Sequence, residues 1–141
     1  MRVLGIDVGR RRMGFAISDP SRTLARPLAT IAIGPGEDGT ERAASEVRRL
    51  AEEEDGVEAV VVGLPTRLDG SPTGETRRVN AFIDALRAKT GLLIVTEGEC
   101  LTSREAESRL AIRERDWKKR KERLDAAAAA IILQDYLDRL K

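Results

Sequence analysis

The sequence predicts an α/β fold, a mixed sheet with helices on its faces. Three observations carry that expectation. Apolar, β-favouring runs at 3–9, 57–63 and 92–96 are too short for typical helices and read as buried strands. Longer stretches with apolar residues at i, i+3 and i+4 separate the later runs, as crossovers between parallel strands require. The first run is instead followed at once by two more, which reads as an opening meander.

Val3-Leu4-Gly5-Ile6-Asp7-Val8-Gly9 makes the first strand, with Asp7 near its end. Arg10, Arg11 and Arg12 connect it to a returning strand, Met13 to Asp19. Pro20 to Arg26 is a loop, and Pro27 to Ile33 a short strand broken by Gly34-Pro35-Gly36. Asp38 or Thr40 caps a helix running to about Glu54, with Ala43, Ala44, Val47, Leu50 and Ala51 on one face. Val57 to Gly63 is the most β-like run and reads as a central parallel strand. A loop over Leu64 to Thr73 leads to a second helix, from about Gly74 to Lys89, which buries Val79, Phe82, Ile83 and Leu86. Thr90-Gly91 stops it, and Leu92 to Thr96 is the next strand. Leu101 to Arg104 begins a short helix ending near Ile112, and the basic segment around Trp117 is expected to be mobile. Leu124 to Leu140 is a strong, alanine-rich final helix. No repeat and no domain boundary interrupts 1–141, so a single domain is expected.

Composition narrows the chemistry. With 41% hydrophobic and 35% charged residues, the chain belongs with soluble globular proteins. No apolar run approaches a membrane span, and the first residues lead straight into a strand, so a cytoplasmic protein with no membrane partner is expected. Histidine is absent, which excludes Ser-His-Asp and Cys-His triads and every His-containing metal site. Cys100 is the sole cysteine, so there is no intramolecular disulfide and no zinc cluster. A hydrolase built from this inventory relies on carboxylates, hydroxyls, Lys or Arg, and carboxylate ligands suit magnesium and manganese. The net charge of +1 is unevenly spread: between Arg113 and Arg123, seven bases face three acids. Such a patch beside a carboxylate site resembles a nucleic-acid footprint.

Asp7 stands at a strand end, where a buried carboxylate is costly unless paired or metal-bound. Glu97 and Glu99 follow the last strand and share a face if the extended backbone continues, with Gly98 pointing away. Asp125 lies in the first turn of the alanine-rich helix, where the helix dipole alone would favour it. Acids at two strand ends and one helix start make a cage for two cations, which can activate a water and stabilise the leaving oxygen in phosphodiester cleavage.

Gly5-Ile6-Asp7-Val8-Gly9, Arg11-Arg12-Met13-Gly14 and Ser18-Asp19 resemble the opening of the YqgF/RuvX family in the ribonuclease H-like superfamily. The similarity continues, in order, through Gly63-Leu64-Pro65 with Asp69-Gly70 and Glu99 with Leu101-Thr102-Ser103. It ends with Lys119-Arg120-Lys121, Leu124-Asp125 and the alanines, then Ile132-Leu133-Gln134 with Tyr136-Leu137, and so spans essentially the whole chain. The resemblance implies a ribonuclease H-like mixed five-stranded sheet with an antiparallel second strand and helices on both faces. It also implies nuclease activity on structured nucleic acid, as members are described as Holliday junction resolvases or as nucleases trimming the precursor of small-subunit (16S) ribosomal RNA.

The same resemblance puts the catalytic, metal-binding acids on Asp7, Glu99 and Asp125, holding two Mg2+ or Mn2+ ions. Arg11, Arg12, Lys119, Arg120 and Lys121 would then hold flanking phosphates without reading sequence. Asp19, Glu97, Arg10 and Thr102 are secondary candidates. Asp19 before Pro20 reads mainly as a turn residue, Thr102 with Ser103 mainly as a helix cap, and Trp117 as packed. Gly9 and Gly14 suit close backbone approach. The chain departs from the family pattern Asp-Glu-Arg-Leu-Thr, carrying Gly98 and Cys100 where the family has Asp and Arg. Two other readings compete. One is a non-catalytic nucleic-acid-binding scaffold of the same fold. The other is a nucleotide-binding phosphotransferase fragment, since sugar kinases open with Gly-Ile-Asp-x-Gly but use two such domains. Symmetric junction cutting calls for a homodimer, whereas RNA trimming needs one site.

Overall fold

The computed structural model describes residues 1–65, 71–99 and 117–140, leaving aside the side chains of residues 99 and 117–124. Its elements are β1 (Arg2–Val8), β2 (Arg12–Ser18), β3 (Ala25–Ala32), α1 (Thr40–Ala51), β4 (Val57–Pro65), α2 (Gly74–Thr90), β5 (Leu93–Glu99) and α3 (Trp117–Arg139). The strands form one sheet in the order β3-β2-β1-β4-β5. β2 runs antiparallel to both its neighbours, while β1, β4 and β5 are parallel. This is the mixed five-stranded sheet expected from the order of the runs and from the resemblance.

Alternation along the strands divides the core into two layers. Leu4, Ile6 and Val8 of β1, with Phe15 and Ile17 of β2, pack against Val47 and Leu50 of α1 and Phe82 and Leu86 of α2. Val3, Ala16, Ala59 and Val61 face the other way, onto Ala129, Ile132, Leu133 and Leu137 of α3. β1 is therefore covered on both faces, which explains its nearly continuous apolar run. Helices lie on both faces of the sheet.

Element ends differ from the sequence expectation in ways that have local causes. α1 stops at Ala51, short of Glu54, because four consecutive acids (Glu52 to Asp55) oppose the negative end of the helix dipole. Its start is fixed by Asp38, whose Oδ1 accepts the Thr40 N–H at 2.9 Å. At the start of α2, Thr73 and Thr76 form a reciprocal capping box, and Gly91, at φ 69°, closes the other end. β3 begins at Ala25, and it tolerates Pro27 because it is an edge strand with a register shift beside that residue. β5 continues past Thr96 to Glu99, since β4 runs on to Pro65 and supplies partners at every step.

The largest correction concerns the basic segment around Trp117, expected to be mobile: α3 begins at Trp117 itself. No Gly or Pro interrupts 117–140, and Lys, Arg and Glu are good helix formers, so the helix extends through the charge run. The expected short helix over Leu101 to Ile112 and the Asp69-Gly70 turn lie outside the described residues. Among the described residues, no helix is long and apolar enough to cross a membrane.

Candidate active site

Asp7 shares a face of β1 with Val3 and Gly5, the face that α3 covers. Its Cα partner on β2 is Gly14. A Cβ added to Gly14 would lie 1.8 Å from the carbonyl oxygen of Asp125, so the α3 backbone rests directly on that glycine. The backbones of Asp7 and Asp125, remote in sequence, are thus both neighbours of Gly14. On the other side, the register with β4 ends at Ile6, paired with Val62, one residue before Gly63. Gly63 in turn pairs with Glu97 on β5, and Pro65 with Glu99. Gly14, beside the acid on β2, has no side chain, and the backbone of α3 fills that place.

The charges around this floor are distinct in kind. Arg12 Nε approaches Asp125 Oδ2 at 2.9 Å. That approach is not aligned as a hydrogen bond, and Oδ2 is a buried oxygen without one. Burial pushes the Asp125 carboxyl up from its ordinary range, and the Arg12 guanidinium pulls it partly back. Arg12, expected on a phosphate, therefore stands against an acid of the site. Glu97 is 7% exposed and ion-paired with Arg139 at the far end of α3. Burial raises its pKa against the opposing pull of Arg139, with Asp135 adding to the rise.

The remaining predicted residues are distributed as follows. Asp19 closes the β2–β3 turn, accepting from Ser21 Oγ at 2.5 Å, Thr23 N at 2.7 Å and Leu24 N at 3.1 Å. Arg10 is exposed in the β1–β2 turn and pairs with Glu75. Arg11 is exposed in the same turn, and its carbonyl accepts the Ile33 N–H at 2.7 Å. Lys119, Arg120 and Lys121 lie on the first turns of α3, and Glu99 ends β5; their side chains lie outside the described residues. Thr102 and Cys100 lie outside them entirely. Sequence reasoning did not single out Glu75 and Arg78, which line a cleft of about 240 Å³ together with Asp7, Arg10 and Pro65. The available signal was their i, i+3 spacing at the start of a helix that follows a parallel strand.

Among the described residues no group of three His, Cys, Asp or Glu side chains forms a metal cluster. Of the three candidate acids, the side chains of Asp7 and Asp125 are described and that of Glu99 is not. What is present fits a hard divalent cation: the donors are carboxylate oxygens, and Asp125 Oδ2 is buried without an aligned hydrogen bond.

Comparison with known proteins follows the same direction. A family model described as "RuvX: Holliday junction resolvase" matches residues 1–139. A protein of Chloroflexus aggregans named "Putative pre-16S rRNA nuclease" is 43% identical over 136 residues, covering 96% of this chain and 92% of its own. One of the same name from Chlorobaculum tepidum is 42% identical over 140 residues, covering 97% and 93%. Among solved structures, the fowlpox virus resolvase with Holliday junction DNA superposes with a TM-score of 0.62 at 13% identity, over 99% of each chain. Thermus thermophilus RuvC in complex with a Holliday junction substrate gives 0.56 at 18% identity, over 99% of this chain and 96% of its own. At these identities the likeness establishes the fold, which is ribonuclease H-like.

Proposed function

Because the chain belongs to the RuvX family of Holliday junction resolvases, we propose that it is a divalent-metal-dependent nuclease acting on structured nucleic acid. Precursor 16S ribosomal RNA is the favoured substrate, because relatives around two-fifths identical carry that activity in their names. A four-way DNA junction is the second, favoured by the description of the family. The observation that carries the reading is the packing of the Asp125 backbone onto Gly14, the strand partner of Asp7.

Asp7, Asp125 and Glu99 would hold the cations. A bound Mg2+ or Mn2+ supplies Lewis-acid polarisation of the phosphoryl oxygen and lowers the pKa of an attacking water. The chain's own residues do the rest. Gly14 lets the α3 backbone, and Asp125 with it, come down onto the strand beside Asp7. Arg12 balances the charge of Asp125 and stands within reach of a flanking phosphate. Arg11 and the basic start of α3 hold the substrate backbone, which positions without reading sequence. RNA trimming needs one such site; symmetric junction cutting needs two, and hence a homodimer. Cytoplasmic action on ribosomal precursors is consistent with both the chemistry and the composition.

The test uses purified protein with Mn2+ or Mg2+ on a precursor 16S RNA fragment and on a four-way DNA junction. Asp7→Asn and Asp125→Asn are expected to stop cleavage of whichever is cut while circular dichroism stays native. Binding without cutting in either metal would replace the nuclease with a non-catalytic scaffold.

A further inference from the structure

Two arginines and a glutamate tie the end of the Asp7 strand to α2. Arg78 Nη2 donates to the Val8 carbonyl at 3.0 Å, and Nη1 reaches the Gly9 carbonyl at 3.5 Å. The same guanidinium grips Glu75 Oε2 through Nε at 2.9 Å and Nη2 at 2.7 Å. The other Glu75 oxygen accepts from Arg10 Nε at 2.8 Å, across the β1–β2 turn. One carboxylate on the first turn of α2 therefore joins two guanidiniums, one on the helix and one on the turn.

These bonds fall where β4 stops pairing with β1, although β2 pairs on through Val8. The register of β1 with β4 runs from Arg2 to Ile6, so Asp7 and Val8 project beyond the last paired residue on that side. Arg78 takes up the carbonyls of the two residues that follow Asp7. The partly exposed i, i+3 ion pair between Arg78 and Glu75 by itself adds little to stability. A guanidinium bonded to backbone next to a reacting side chain has another use, because it removes freedom from that side chain's anchor. The cleft supports this placement, since Asp7 and Arg78 line the same space.

We propose that Arg78, braced by Glu75, is a positioning residue for Asp7: by holding the Val8 and Gly9 carbonyls it fixes the end of β1 from which the Asp7 carboxylate reaches the site. The inference rests on the nuclease reading above.

The experiment measures steady-state cleavage of the cut substrate, and calorimetric titration with Mn2+ alone, for full-length wild type, Arg78→Met, Arg78→Lys, Glu75→Gln and Asp7→Asn. Assays run well below every melting temperature, so a loss of fold is not read as a loss of rate. Arg78→Met is expected to lower kcat and Mn2+ affinity by about 10- to 100-fold, the usual effect of removing an outer partner of a metal ligand. KM should stay within about twofold, because substrate binding is not the step affected. Arg78→Lys should recover part of the loss, and Glu75→Gln should shift kcat in the same direction as Arg78→Met. If Arg78→Met does not fold, Glu75→Gln decides. Wild-type kcat and Mn2+ affinity in Glu75→Gln and in any folded Arg78→Met, beside an inactive Asp7→Asn, would overturn the positioning role and leave the nuclease standing. Full activity in Asp7→Asn would remove both.

Discussion

Asp19 and Asp125 are the same residue type in opposite surroundings. Asp19 is partly exposed and receives bonds from Ser21, Thr23 and Leu24, which draw its carboxyl from 3.8 down to about 2. Asp125 is partly buried, and desolvation drives it the other way against Arg12. For Asp19 the folded pKa lies below the unfolded one, so ionisation favours folding above about pH 4 and that contribution fades as pH falls towards about 2. Asp19→Asn keeps the shape and removes the charge. It is expected to melt below wild type at pH 6, with the gap closing between about pH 4 and pH 2. Melting curves over that range check it; a constant gap would show that the turn bonds do not depend on the charge. Asp19 was legible as a turn residue because Asp-Pro-Ser is turn chemistry in itself. The Arg12–Asp125 pair was not, since nothing local in either segment points to the other. Glu75 and Arg78 were not legible either, since only the Val8 carbonyl gives the pair a meaning beyond its helix.

At the scale of elements, α3 approaches the sheet as closely as its backbone allows. It crosses Gly5 and Gly14, and a Cβ on Gly5 would stand 2.8 Å from Leu133 Cβ and 2.9 Å from the Ala129 carbonyl oxygen. Alanines on the helix and glycines on β1 and β2 are two halves of one contact. Gly14→Ala forces the helix off the strand, because the obstacle is backbone that no rotamer change can clear. We expect a cost at the upper end of about 1–3 kcal/mol, the range for overpacking. If Asp125 holds the proposed cation with Asp7, displacing it should also weaken stabilisation by Mn2+. Gly74→Ala is the control: no described atom lies within 4 Å of the added Cβ, so its effect should stay within about 0.5 kcal/mol. Thermal melts with and without Mn2+ separate the two outcomes. Helix and strand identities were readable from periodicity, and the alanine run was readable as helix. Element ends were not, because they depend on neighbours: β5 extends because β4 does, and α3 starts early because nothing in the basic run breaks it.

The whole molecule carries almost no net charge, at +1, so affinity for nucleic acid has to come from how charge is distributed. The order of runs made the sheet legible, since two parallel crossovers after an antiparallel meander leave few arrangements. The charge map was less legible, because basic residues that look alike in sequence differ in what they touch. Across the described body many are already paired: Arg2 with Glu53, Arg22 with Glu58, Arg42 with Glu37, Arg49 with Glu46, Arg87 with Asp84 and Lys89 with Glu41. The start of α3 is different in sequence, with Lys118 to Lys121 consecutive and no acid in the first turn. Cations at the positive end of a helix dipole are mutually unfavourable, and a phosphate there relieves them. Arg120→Ala combined with Lys121→Ala should therefore weaken binding to a four-way DNA junction and reduce the slope of log affinity against log salt by about 1.8, from about 0.9 per phosphate contact. Arg42→Ala combined with Arg49→Ala removes the same charge from paired positions and should leave the slope unchanged. Binding isotherms over a salt series in Ca2+ measure both, and an equal slope in all three proteins would reduce the start of α3 to a solvated helix face.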